Sequence, residues 1–110
     1  MATITRPTLT DAVSQSFTPV ELTGTDTLSV KTGTLFVFNA SASPASIVID
    51  GDDATTTTTP TAGVVSVAGG YTVACPAGQV TQVRLGTISA FLAGDVAVTG
   101  GTADMFAWVQ

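Results

Sequence analysis

The chain has 110 residues, 45% hydrophobic and only 10% charged, with three cations (Arg6, Lys31 and Arg84), no histidine and a net charge of −5. This length suits one domain with one core, and the high apolar content excludes a disordered chain. Three scattered cations supply neither the basic footprint of a nucleic-acid binder nor attraction to an anionic membrane surface. No apolar run approaches the ~20 residues of a membrane-spanning helix.

Thr, Val, Ala, Gly and Ser dominate, and short apolar runs alternate with Gly/Pro turns. The expectation is a single all-β domain: an antiparallel β-sandwich, jelly-roll-like, with no long helix. Residues 1–16 carry one Arg and no apolar stretch of signal-peptide type, which predicts a cytoplasmically made chain. Pro7 limits this segment to an edge strand or to an arm exchanged with a neighbouring subunit. The sandwich proper is expected over 17–110.

Within it, Phe17–Thr23 and Thr27–Lys31 are short candidate strands around Gly24-Thr25-Asp26. The organising stretch is Thr34–Asp50, TLFVFNASASPASIVID, whose runs Leu35–Phe38 and Ile47–Ile49 are apolar on consecutive residues. Such runs predict central strands covered on both faces. Asp50–Asp53, the run Thr55–Thr59 and Pro60–Gly63 read as a long solvent loop. Val64–Val67 and Tyr71–Cys75 flank Gly69-Gly70, a hairpin signal. Val80–Leu85, Ile88–Leu92, Asp95–Thr99 and Met105–Val109 complete the predicted strands. In the last, Phe106 and Trp108 share one face; Trp108 is expected in the core, with an interface role for that face as the alternative.

Candidate chemistry is sparse. Asp50, Asp52 and Asp53 offer the oxygens a hard cation such as Ca2+ selects, but the spacing lacks the closing Glu of a calcium loop, so a solvated acidic turn is expected. Without histidine no Ser-His-Asp or Cys-His nucleophile can be assembled. Asp95 and Asp104 sit beside turns, where capping roles are expected. Cys75, the only cysteine, precedes Pro76 in apolar surroundings and reads as a buried filler. No catalytic, cofactor-binding or metal residue is therefore predicted, and the chain is expected not to be an enzyme.

Two segments, TLFVFNASASPASIVID and YTVACPAGQVTQVRL, resemble a family of small tailed-phage virion proteins. They match its apolar strand, Asn, small-residue turn and second strand, and then its strand, Pro-Ala-Gly turn and strand. The resemblance covers roughly Thr34–Leu85, and the Thr55–Thr59 insertion and the Asp50–Asp53 turn depart from it. It implies a β-sandwich subunit located in the virion, a decoration or cement protein bound to the major capsid protein outside the head, or another minor virion part. A host-glycan binding module is the alternative. The scarcity of charge further predicts a homo-oligomer, a trimer by preference, with residues 2–16 as a candidate exchanged arm.

Overall fold

A computed structural model describes residues 1–8, 10, 13–61 and 63–110. Residues 9, 11 and 12 of the expected arm and residue 62 of the expected loop lie outside the described residues. The strands, in chain order, are β1 (Thr3–Ile4), β2 (Val20–Glu21), β3 (Thr25–Leu28), β4 (Thr34–Asn39), β5 (Ala45–Gly51), β6 (Thr56–Thr59), β7 (Gly63–Ser66), β8 (Tyr71–Cys75), β9 (Val80–Arg84), β10 (Val96–Thr99) and β11 (Met105–Val109).

The pairing follows from one long antiparallel ribbon wound on itself. β5 pairs with β8, β4 with β9, β3 with β10 and β2 with β11, each pair nested outside the one before. Alternate pairs fall in opposite layers, and the bridges β10–β5 and β11–β4 knit them into two sheets. The orders are β1-β3-β10-β5-β8 and β2-β11-β4-β9. This is the jelly roll, two interlocked Greek keys in a sandwich. β6 and β7 form a separate hairpin inserted at the tip of the ribbon.

One pairing departs from the antiparallel expectation. β1 runs parallel to β3, with Thr3 opposite Thr27 and Ile4 opposite Leu28. Beyond it, Val109 N donates to Thr5 O at 3.2 Å, so the N-terminal residues reach from one sheet to the other. Ile4 is completely buried. Residues 2–5 thus act as an edge strand on their own sandwich.

The core between the sheets is aliphatic: Leu35, Val37, Ile47, Ile49, Leu85, Val98, Met105, Ala107 and Val109 are all fully buried. Strand alternation explains the choice, since residues i and i+2 share a face. β4 and β5 are interior to their sheets, as the organising stretch predicts, but they lie in different sheets. The expectation of full cover on both faces does not hold. Phe36, Phe38, Val48 and Asp50 on their outer sides are only half-buried.

Three local expectations are corrected. Ile88–Leu92 is not a strand; Leu85–Phe91 forms a kinked 3-10 helix, with Leu85, Ile88 and Leu92 buried. Residues 88, 90 and 92 alternate like a strand, but 85, 88 and 92 fit a helical turn equally, and the chain here must cross from one sheet to the other. Thr55–Thr59 does not remain a loop: its β-branched residues form β6, with Thr57 opposite Val65 and Thr59 opposite Gly63. Gly69-Gly70 does not close a hairpin between 64–67 and 71–75. β7 pairs back to β6, while Gly70 (φ +77°) turns the chain into β8 against Val48.

At the start of β3, Asp26 is buried and carries a tight polar knot. Its carboxylate accepts from Thr23 N (3.0 Å), Thr23 Oγ1 (2.7 Å) and Ala2 N (3.0 Å). Burial pushes the carboxyl pKa up, but the bonds from the Thr23 amide and hydroxyl and from the Ala2 and Gly24 amides outweigh it and hold it below the ordinary 3.8. A depressed folded pKa means that the unfolded chain binds the proton more tightly. The resulting stability is complete above the ordinary carboxylate value and is lost as pH falls through the folded one. Denaturant titrations from pH 7 to pH 2.5 are expected to show this acid-side loss. Asp26→Asn is expected to flatten that slope and, by facing an amide NH2 to four donors, to cost about 1–3 kcal/mol at neutral pH. An unchanged slope in the variant counts against this role.

Candidate functional site

Of the carboxylates picked out in the sequence, only those of Asp52 and Asp53 come together, both standing over Gly94. Asp50 stands on the outer side of β5. Asp52 is spent on the chain itself: its Oδ1 accepts from Asp95 N at 2.8 Å, and its own N–H donates to Asp95 O at 2.9 Å. Asp53 N donates to Ala93 O at 3.0 Å. This acidic turn fastens the end of β5 to the loop before β10. Among the described residues no group of three potential ligands is placed to hold a metal ion. Asp104 lies in the loop before β11, where its carbonyl receives Ala40 N at 2.9 Å.

Cys75 is fully buried at the end of β8. Burial pushes its thiol pKa up, against a smaller opposing effect of the Thr81 hydroxyl, so the sulfur is held as the un-ionised thiol. It packs as the sequence suggests.

Among the described residues two concavities stand out. A groove of about 450 Å³ runs between β8 and β9, walled by Thr72, Ala74, Thr81, Gln82, Arg84 and Thr87. These strands are the free edges of the two sheets, and the Thr81 hydroxyl reaches across to Ala74 O at 3.5 Å. A second hollow of about 380 Å³ lies beside Pro44, Ala45, Cys75 and Pro76. The groove carries Tyr71 and Arg84 on its walls and the hollow only the buried Cys75; neither has a carboxylate in its lining.

The distinctive feature is the outer face of the four-stranded sheet. Register places Glu21, Phe106, Phe38 and Val80 in one row across it, then Trp108, Phe36 and Gln82, then Thr34 and Arg84. Trp108 and Phe36 stack with ring centroids 5.5 Å apart and planes 15° from parallel. Phe17 also packs on Trp108, its ring tilted by 59° with centroids 6.0 Å apart. Phe17 is 37% and Val80 55% exposed. The sequence expectation of Trp108 in the core is therefore wrong: Met105, Ala107 and Val109 point inward from β11, and Phe106 and Trp108 point out.

The aromatic placement is general. None of the five Phe, the Tyr or the Trp belongs to the buried core. Tyr71 and Phe91 meet edge-on at 5.6 Å, with Phe91 against the end of the core. Sheets packed ~10 Å apart leave room for interdigitated aliphatic side chains. The large rings went outside, against the usual preference. A signal for this existed in β9 and the residue after it, where Val83 and Leu85 alternate with Gln82 and Arg84. The polar pair must face outward, and pairing carries the same face to Phe36 and Thr34. Reading it requires the register.

Comparison with known proteins returned no matching family model, no similar curated protein and no similar solved structure. Among the described residues no helix is long and apolar enough to cross a membrane.

Proposed function

We propose that this chain is a non-enzymatic structural subunit of a tailed-phage particle, a head decoration or cement protein docked on the major capsid protein outside the shell. The supporting observation is the distribution of apolar side chains. The core is aliphatic, while five of the seven aromatic residues, Phe17, Phe36, Phe38, Phe106 and Trp108, lie on or against one outer sheet face of a chain with net charge −5. Continuous outward aromatic surface marks a place that other protein covers. The fold agrees by analogy alone, since jelly rolls serve in capsids and lectins alike.

The inserted hairpin is the natural contact with the shell. Residues 54–70 contain no charged and no aromatic residue, and among the described residues β6 and β7 pair only with each other. An isolated two-stranded ribbon is marginal in water, and its free edges suit strand addition to another protein. Many such weak contacts on one lattice sum through avidity, and binding the assembled shell alone stabilises it by mass action.

The Trp108–Phe36 stack also favours a second reading, host-glycan binding, since it sets an aromatic platform on the outer side of the sheet. A sugar site needs convergent polar groups beside its platform. Here Gln82 alone shares the row of the two rings, and Glu21 and Arg84 stand at opposite corners and do not converge on it. Tail and head-completion roles share the structural reading.

The test mixes purified protein with capsids lacking their decoration subunits. Saturable binding at a fixed ratio to capsid protein and a higher disruption temperature are expected, with both lost when residues 55–67 are replaced by a short Gly-Ser linker. Absent capsid binding together with retention on a glycan array overturns the reading.

A further inference from the structure

We propose that two copies of this chain pair through the outer faces of their four-stranded sheets, about a two-fold axis through the Trp108–Phe36 stack. This deepens the self-association expected above but does not depend on the particle role. The argument starts from charge. In the four strands of this sheet the only charged residues are Glu21 on β2 and Arg84 on β9. Both are exposed on the outer face, at diagonally opposite corners of the aromatic field. Among the described residues neither side chain makes an ion pair or hydrogen bond of its own. The other two cations are engaged: Arg6 donates to Thr32 O and Lys31 to Gly94 O, each at 2.5 Å.

A two-fold axis lying in the contact plane, perpendicular to the Glu21–Arg84 diagonal, sets each Glu21 opposite the partner's Arg84. It makes the contact twice, as an isologous interface requires. The midpoint of that diagonal is the row of Trp108 and Phe36, so the stacked rings meet their counterparts at the centre with the ion pairs at the rim. Rings in the centre and charge at the edge is the anatomy of a protein interface. The face is also net neutral, whereas the acidic turn Asp50–Asp53 belongs to the other sheet. It is where two chains of charge −5 can approach. The layout points to a pair where composition alone suggested three copies.

Sedimentation velocity of the free protein over a wide concentration range tests this without any capsid. The wild type is expected to form dimers, with Trp108 fluorescence, the only indole signal, shifting to the blue as they form. Glu21→Arg or Arg84→Glu alone creates two like-charge contacts and is expected to weaken association about ten-fold. The double exchange is expected to restore it, most clearly at low salt. Val80→Glu, at a position too exposed to disturb folding, is expected to abolish it. Circular dichroism confirms that each variant is folded. A wild type that stays monomeric or forms trimers, single exchanges without effect, or a double exchange that fails to rescue overturns the proposal.

Discussion

Gly51→Ala is expected to lower stability by at least about 3 kcal/mol, beyond the usual cost of an added methyl in a packed interior. Gly51 ends β5, is buried, and sits directly beneath the chain that leaves the 3-10 helix. A Cβ built there would meet the carbonyl oxygen of Ala93, its amide nitrogen at 2.7 Å and Phe91 O at 2.8 Å. These are backbone atoms, which no rotamer change can move. The same stretch is fastened by Asp53 N to Ala93 O and by the Asp52–Asp95 exchange, so relief would require parting the acidic turn from its partner loop. For a chain of this size the loss corresponds to a melting temperature lower by on the order of 10 °C. Gly86→Ala is the control: a Cβ there meets nothing within 4 Å. Its stability is expected within about 0.5 kcal/mol of wild type. Equal melting temperatures for the two variants would show that the close approach is not a constraint.

The fold class was legible because turn residues separate the strands cleanly. Leu35–Phe38 and Ile47–Ile49 announce interior strands, and Pro76-Ala77-Gly78 marks the passage from β8 to β9. The mistakes arose where pattern alone is degenerate. Ile88, Ala90 and Leu92 fit a strand and a helical turn equally, and only the need to cross between sheets decides. A run of threonines is polar enough for a loop and β-branched enough for a strand, and its partner Val64–Ser66 had another suitor across Gly69-Gly70. Hydropathy cannot tell which of two apolar faces turns inward. In β4 and β11 both faces are apolar, so ring size suggested core, whereas the strands turn their aliphatic residues inward. That one bit of information hid the candidate surface, because everything about the aromatic face depends on it.

The other large effect is expected at Asn39, which lies among apolar core residues yet is fully buried. The two chain crossings at this end of the sandwich, β4 to β5 and β8 to β9, both depend on it. Its Nδ2 donates to Ser43 O at 3.0 Å and to Cys75 O at 2.9 Å. Its Oδ1 accepts from Ser41 N at 3.0 Å and Ser41 Oγ at 2.7 Å. Its backbone joins the opposite turn, with Asn39 N to Gln79 O at 3.0 Å and Gly78 N to Asn39 O at 2.7 Å. The Asn in the strand–Asn–turn segment is thus a staple between crossovers. Asn39→Ala takes the side-chain partner from Cys75 O and from Ser41 N, while Ser41 Oγ still reaches Ser43 O at 2.8 Å, and is expected to cost about 2–4 kcal/mol. Asn39→Leu separates this account from plain core filling. A site that wanted only volume would be stabilised by the larger apolar surface, whereas a site that needs four hydrogen bonds loses as much as with alanine. Asn39→Asp is expected to be worst at neutral pH, because a carboxylate aims its charge at the Ser43 and Cys75 oxygens. It should recover in part as acid protonates the new side chain and restores one donor. Chemical denaturation of the three variants at pH 7 and pH 4.5 decides it: leucine at or above wild-type stability would remove the staple, and an aspartate that worsens in acid would reverse the assigned direction of its bonds.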